Sequence, residues 1–173
     1  RPADRMETIE CWEIALKSKK TPSVLSLTRQ NLDPIRTKFS STNKSSLGAY
    51  EILRSNKKIN ITILASGSEV NLAKKVCKNL AKDKIYSKVI SVPCQEIFEK
   101  QSQGYKHRTL KETKHIFSIE AGVTDCWKKY VGKDGLTFGI DDFGKSAPYE
   151  DIYNHFGLSV KNISSKVKNF LRR

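Results

Sequence analysis

Two kinds of hydrophobic pattern alternate along the chain. Short unbroken apolar runs stop at Gly, Ser or Pro, and longer stretches repeat apolar residues at helical spacing. Ile61 to Ser66, ITILAS, is the clearest short run. It predicts a strand buried on both faces, as in a parallel sheet. Gly67 supplies a sharp turn, Ser68 is placed to cap a helix, and Glu69 puts negative charge at that helix's positive end. Ala73, Val76, Cys77, Leu80 and Ala81 then form one apolar stripe. Ser87 to Pro93, SKVISVP, gives the next strand, so residues 61–93 read as a βαβ unit with a right-handed crossover.

The same reasoning covers the rest of the chain. Asp4 to Ser18 predicts a helix, with Asp4 as cap, Glu7 three residues on as in a capping box, and Met6, Ile9, Trp12 and Leu16 as its buried face. Pro22 breaks it, and Ser23 to Thr28 predicts a strand. Arg29-Gln30-Asn31-Leu32 falls at the carboxyl end of that strand, where open α/β sheets bind ligands. An arginine there suits a phosphate, but position alone favours the plainer readings, a structural ion pair with a carboxylate or a solvated side chain. Residues 33–58 are polar and turn-rich and read as a linker with an ordered patch near Leu47-Gly48-Ala49-Tyr50.

Beyond the βαβ unit, short helical pieces are expected at 95–100 and 104–110. Strands are expected at 116–120 and 136–140. Thr124 is placed to cap a short helix carrying Trp127 and Tyr130. Residues 141–148 form a loop and 149–156 a helix. Ser159 caps a final helix whose face is Val160, Ile163, Val167, Phe170 and Leu171. The expected architecture is α/β. Residues 1–32 are a helix-strand remnant of one α/β domain, and 33–58 a linker. Residues 59–173 form a three-layer α/β/α domain around a mostly parallel, mixed sheet of about five strands.

Charge alters this picture little. Lys and Arg number 32 against 18 Asp and Glu, a formal net charge of +14. Such a balance invites a nucleic-acid reading. The lysines are scattered, however, and aromatics are not interleaved with them as a stacking platform needs. A basic surface also attracts phosphorylated substrates. No run approaches the ~20 apolar residues of a membrane span. Cys11, Cys77, Cys94 and Cys126 form no CxxC or Cys/His pairing, so neither a zinc site nor a disulfide framework is indicated. Cys77 lies on a core stripe as an inert thiol, and a reducing compartment fits. Ser146 has no neighbouring His and no nucleophile-elbow flanks. His107 and His115 stand alone and read as surface residues. The Gly67-Ser68-Glu69 turn has the form of an anion pocket at a helix N-terminus, but Glu69 would repel an anion, which favours an ordinary turn.

Several segments resemble transketolase. They are RPAD with Glu7-Thr8 at the start, LTRQNL at Leu27 to Leu32, SGSEV at Ser66 to Val70, SIEAGVTDCWKKYVG at Ser118 to Gly132, FGKSAP at Phe143 to Pro148 and FGLSVKNI at Phe156 to Ile163. They occur in the family's order and spacing over essentially the whole chain. SGSEV alone is weakly specific. RQNL with FGxSAP is specific to transketolase and its relative dihydroxyacetone synthase. Cys126, where an aromatic is frequent, and Lys111, where Pro is frequent, are departures without catalytic consequence.

The resemblance implies the carboxy-terminal portion of a three-domain enzyme, inactive alone: residues 1–32 as the tail of its pyrimidine-binding domain, 33–58 as an interdomain linker and 59–173 as its complete carboxy-terminal domain. The parent would transfer a two-carbon ketol group from a ketose phosphate to an aldose phosphate in the pentose phosphate pathway. Thiamine diphosphate and a divalent metal, Mg2+ or Ca2+, would be held by the other domains. Catalytic, cofactor-binding and metal residues are therefore expected outside this chain. The one site residue carried over is Arg29, as a ligand of the sugar phosphate, with Gln30 and Asn31 shaping its turn. The implied partners are sugar phosphates and a second copy in a homodimer, with no nucleic acid or membrane. The implied location is cytoplasmic, with a plastid also possible. Dihydroxyacetone synthase, or a non-catalytic nucleotide- or anion-binding regulatory module, is the alternative reading.

Overall fold

The computed structural model describes residues 1–38 and 40–172. Its centre is a five-stranded sheet. The strands are β1 (Tyr50–Arg54), β2 (Ile61–Ala65), β3 (Ser87–Ser91), β4 (His115–Ile119) and β5 (Leu136–Phe138), in the spatial order β1-β3-β2-β4-β5. The last four are mutually parallel, and β1 runs antiparallel along β3. The α/β class and the mixed sheet follow the sequence expectation. The four strands expected from residue 61 onward are all present, with ends shifted by one or two residues.

The strand β2 shows why the sheet is covered on both sides. Ile61, Ile63 and Ala65 point into one core, and Leu64 into the other. The first core is closed by α2 (Glu69–Ala81) and α7 (Val160–Leu171), through Ala73, Val76, Leu80, Ile163 and Val167. The second is closed by α3 (Gln95–Glu99), α4 (Gln103–Leu110) and α5 (Lys128–Val131), through Phe98, Trp127 and Val131. The Ser159 hydroxyl accepts from the Asn162 amide at 3.4 Å, as its cap position predicts. Cys77 is buried, as its stripe requires. A further helix, α6 (Tyr149–His155), precedes α7.

Several expectations are corrected. Residues 50–54, read as part of a linker, pair with β3 as an edge strand. The signal was weak because the strand carries Glu51 and Arg54, charges that discourage further pairing at an edge. Arg54 grips both Glu51 and Glu112 at 2.7 Å, and Glu112 also meets the buried Lys88 at 3.0 Å. Ser23 to Thr28 is not a strand, since no neighbouring strand offers it a ladder among the described residues.

The first helix, α1 (Arg5–Lys17), exists and is capped by Asp4, whose carboxylate accepts from the Glu7 amide at 2.8 Å. Its buried face is not the apolar one. Ile9, Trp12 and Leu16 are exposed, and Glu7 and Glu10 are buried instead. Glu7 accepts from the Ala3 amide at 2.7 Å and from the Tyr50 and Ser91 hydroxyls at 2.6 Å each. Burial nevertheless pushes its carboxyl above the usual range. Glu10 accepts from the Ser45 amide and hydroxyl and meets Arg36 at 2.7 Å. Polar pairing outweighs apolar burial here because the surface that α1 lies on is itself polar.

Two expected caps also fail. Ser68 and Thr124 make no capping bond. The Ser68 hydroxyl donates to Glu69 at 2.5 Å, and that of Thr124 to Asp141 at 2.7 Å.

Gly48 closes the turn before β1 with φ +74°, and a Cβ there would lie 2.1 Å from the Phe98 nitrogen. Left-handed backbone and close approach both require glycine. Gly48→Ala is expected to lower the unfolding free energy by about 2 kcal/mol or more. The shift of the urea midpoint checks this, and an unchanged midpoint contradicts it.

Candidate functional site

In an open parallel sheet the natural binding crevice lies beyond the carboxyl ends of the strands, where successive connections leave in opposite directions. Here that point lies at β2, with β3 on one side and β4 on the other. Two carboxylates line it. Glu69, at the start of α2, is fully buried, and Glu120 directly follows β4. The crevice is filled by the chain itself. Arg1 reaches Glu120 at 2.6 Å and Glu69 at 3.1 Å. The Arg1 carbonyl accepts from the Gly67 amide at 3.1 Å, and its backbone nitrogen lies 2.8 Å from the Pro93 carbonyl.

Each carboxylate is further satisfied. Glu120 accepts from the Ser66 hydroxyl at 3.0 Å and from the Trp127 indole at 2.6 Å. Glu69 accepts from the Ala121 amide at 2.9 Å, from Ser68, and from the Tyr153 hydroxyl. Burial and the neighbouring Glu69 push the Tyr153 hydroxyl up to about 12, so it stays a donor at neutral pH. The Gly67-Ser68-Glu69 turn is thus occupied by a guanidinium held between two acids, and this disfavours the anion-binding module.

Arg29 lies close by. With Ser26, Leu27, Thr28 and Gln30 it lines one wall of a cavity of about 240 Å³, whose other walls are Arg1, Gly67, Ser68, Tyr149 and Tyr153. Arg29 is exposed and has no ion pair or side-chain hydrogen bond among the described residues. Of its alternative readings, the structural ion pair is not formed among the described residues, and a solvated side chain matches this exposure as well as a phosphate ligand does. The Gln30 amide nitrogen meets the Thr28 hydroxyl at 3.4 Å, consistent with a turn.

A second cavity of about 380 Å³ is lined by Cys11, Cys94 and Cys126 among others. Burial pushes the Cys11 thiol up to about 11 and raises the other two, so none is an activated nucleophile. The Ser146 loop is exposed throughout. His107 is exposed, and the His115 ring is bonded to the Asp134 carbonyl at 2.8 Å.

Arg1, Glu120 and Tyr153 were not singled out from the sequence. The available signal was Glu69 and Glu120 at the ends of buried apolar runs, since a buried acid demands a partner.

A three-layer α/β domain with its crevice at the carboxyl ends of parallel strands defines the class. The profile of the Transketolase-like TK C-terminal domain matches residues 48–159. The chain belongs to the transketolase family. It is 43% identical over 174 residues to the transketolase of Sinorhizobium medicae, covering 100% of this chain and 25% of that protein. It is 42% identical over 176 residues to that of Bacillus subtilis, covering 100% of this chain and 26% of that protein. The Pichia stipitis transketolase, solved in complex with sedoheptulose-7-phosphate, superposes with a TM-score of 0.89 at 35% identity, covering 99% of this chain and 25% of that one. The chain thus spans about a quarter of the length of these relatives.

Removing the central cation tests the crevice. Arg1→Met is expected to destabilise the fold by about 3 kcal/mol, because it leaves buried carboxylate charge uncompensated. Chemical denaturation of Arg1→Met beside wild type measures this. A loss under about 1 kcal/mol would mean that the carboxylates need no cation.

Proposed function

We propose that this chain works as the carboxy-terminal portion of a transketolase, an enzyme that moves a two-carbon ketol group from a ketose phosphate to an aldose phosphate. Its own contribution to the reaction is Arg29, a ligand for the phosphate of the sugar. The observation that carries this reading is Arg29 itself: an arginine at the edge of a cavity, with no carboxylate partner among the described residues. A guanidinium offers planar, paired donors that match a phosphate. The excess of positive charge over the chain favours the approach of such anions.

Among the described residues, no three His, Cys, Asp or Glu side chains stand together as metal ligands. The residues present do not fit thiamine diphosphate with its metal ion, and the proposal assigns both to other parts of the enzyme. The exposed apolar side chains Ile9, Trp12, Leu16, Val24 and Leu27 form a surface that those parts would cover. In the same proposal, residues 1–32 belong structurally with that covering portion, and the working enzyme is a cytoplasmic homodimer. No helix among the described residues is long and apolar enough to cross a membrane.

Arg29 would touch the phosphate and not the reacting carbons, so its contribution is similar in the ground and transition states. A hydrogen bond to a charged group contributes about 1.5–3 kcal/mol, so Arg29→Ala in the intact enzyme should weaken phosphorylated ketoses by about 10- to 150-fold. The loss should appear in KM, with kcat much less changed. Arg29→Lys should recover part of it. A donor without phosphate should be nearly indifferent. Steady-state kinetics with both donors decide the matter, and equal losses on the two would remove Arg29 from the phosphate site.

A further inference from the structure

On the side of the sheet closed by α3, α4 and α5, a cavity of about 590 Å³ opens between the end of α3 and the two other helices. Pockets that hold a whole small molecule measure about 300–1,000 Å³, so this one is of ligand size. It shares no lining residue with the cavity at Arg29. Three lysines, Lys106, Lys111 and Lys129, line it against the single carboxylate of Glu99. Leu110 and Tyr130, both half-buried, supply apolar wall. Gly104 keeps the cavity open. Within 4 Å a Cβ there would meet only the Arg108 guanidinium, at 3.5 Å, which is ordinary contact.

Glu99 does not oppose an anion here, because its charge is already answered. It accepts from the Tyr130 hydroxyl at 2.6 Å and meets Lys129 at 3.0 Å and Lys106 at 3.5 Å. Lys106 also donates to the Glu99 carbonyl at 3.1 Å. Two ammonium groups are thereby held in place, and each carries three protons, so donors remain for a ligand. Cations fixed beforehand cost less to order when the ligand arrives. Lys129 lies 4.7 Å from the centre of the Tyr130 ring. That ring is fixed in turn by Phe98 and Trp127, at 5.9 and 6.2 Å between centroids. Lys111 has no ion pair or side-chain hydrogen bond among the described residues. It stands where Pro is frequent in the transketolase family, so this third cation belongs to the present chain and not to the family pattern.

We propose that this cavity binds a small aromatic phosphate ester, in its simplest form a nucleoside monophosphate. The phosphate lies among the three lysines, and the flat ring lies against Leu110 and Tyr130. A plain sugar phosphate has no apolar body for that wall, and a nucleoside without phosphate has no charge for the lysines. The proposal does not depend on the role of Arg29.

Calorimetry on the intact, cofactor-loaded enzyme tests it, with adenosine monophosphate as the probe. Saturable binding is expected with a Kd below about 1 mM, tighter than for inorganic phosphate or adenosine, and weakened by salt. Lys111→Gln should raise this Kd by about 2- to 12-fold, the weight of one hydrogen bond. Gly104→Phe should raise it further by filling the cavity, and Arg29→Ala should leave it unchanged. Lys111→Gln breaks no internal bond among the described residues, so it decides the matter even if Gly104→Phe folds poorly. Five results would each overturn the proposal: no saturable binding, equal binding of phosphate or of adenosine, an unchanged Kd in Lys111→Gln, an unchanged Kd in a folded Gly104→Phe, or a loss in Arg29→Ala. The last would move the nucleotide to the Arg29 cavity.

Discussion

The guanidinium of Arg1, held between Glu69 and Glu120, is the interaction on which the functional end of the molecule depends. Glu69 is fully buried at the mouth of the sheet, and an isolated buried carboxylate is too costly to persist without a cation or several donors. Arg1 supplies the cation. In doing so it draws the amino-terminal segment across the carboxyl ends of β2 and β3, where its backbone meets Gly67 and Pro93. The crevice that comparable sheets offer to a ligand is closed by the chain's own side chain. The remaining open space is displaced to the two sides: about 240 Å³ between the Arg29 segment and α6, and about 380 Å³ beside Arg1, Ser66 and Glu120.

That displacement links fold to proposed function. The regular part of the domain carries no nucleophile, activated thiol or metal cluster among its described residues, and its carboxylates are spent on internal pairing. What it offers is a rigid wall. Tyr153 stands on α6 and Ser68 on the turn after β2, both bonded to Glu69, and Tyr149 stands edge-on to Tyr153. The irregular segment opposite brings Arg29. A loop carrying the proposed binding group, set against a scaffold, is a common division of labour in proteins.

The sequence disclosed those features that arise from local pattern. Unbroken apolar runs gave the four parallel strands, and helical spacing gave α2 and α7. Features that depend on a distant partner were hidden. The buried face of α1 was misread because Glu7 and Glu10 are buried by pairing with Tyr50, Ser91, Ser45 and Arg36, none of which can be seen from within the helix. β1 was read as linker because an edge strand with outward charges lacks a core strand's signature. Ser23 to Thr28 has a strand's composition, but a strand exists only where another strand receives its hydrogen bonds. The role proposed for Arg29 comes from the resemblance of its RQNL motif, since pattern placed it only at the end of an expected strand that does not form. The Arg1–Glu69–Tyr153 connection was not legible, since it joins residues far apart in the chain.

The most direct measurement is a crystal structure of the intact enzyme bound to a phosphorylated ketose. The account predicts the phosphate oxygens within about 2.7–2.9 Å of the Arg29 guanidinium, in the cavity that Arg29 shares with Gly67, Ser68 and Tyr153. A phosphate bound elsewhere, with the Arg29 side chain turned to solvent, would contradict it.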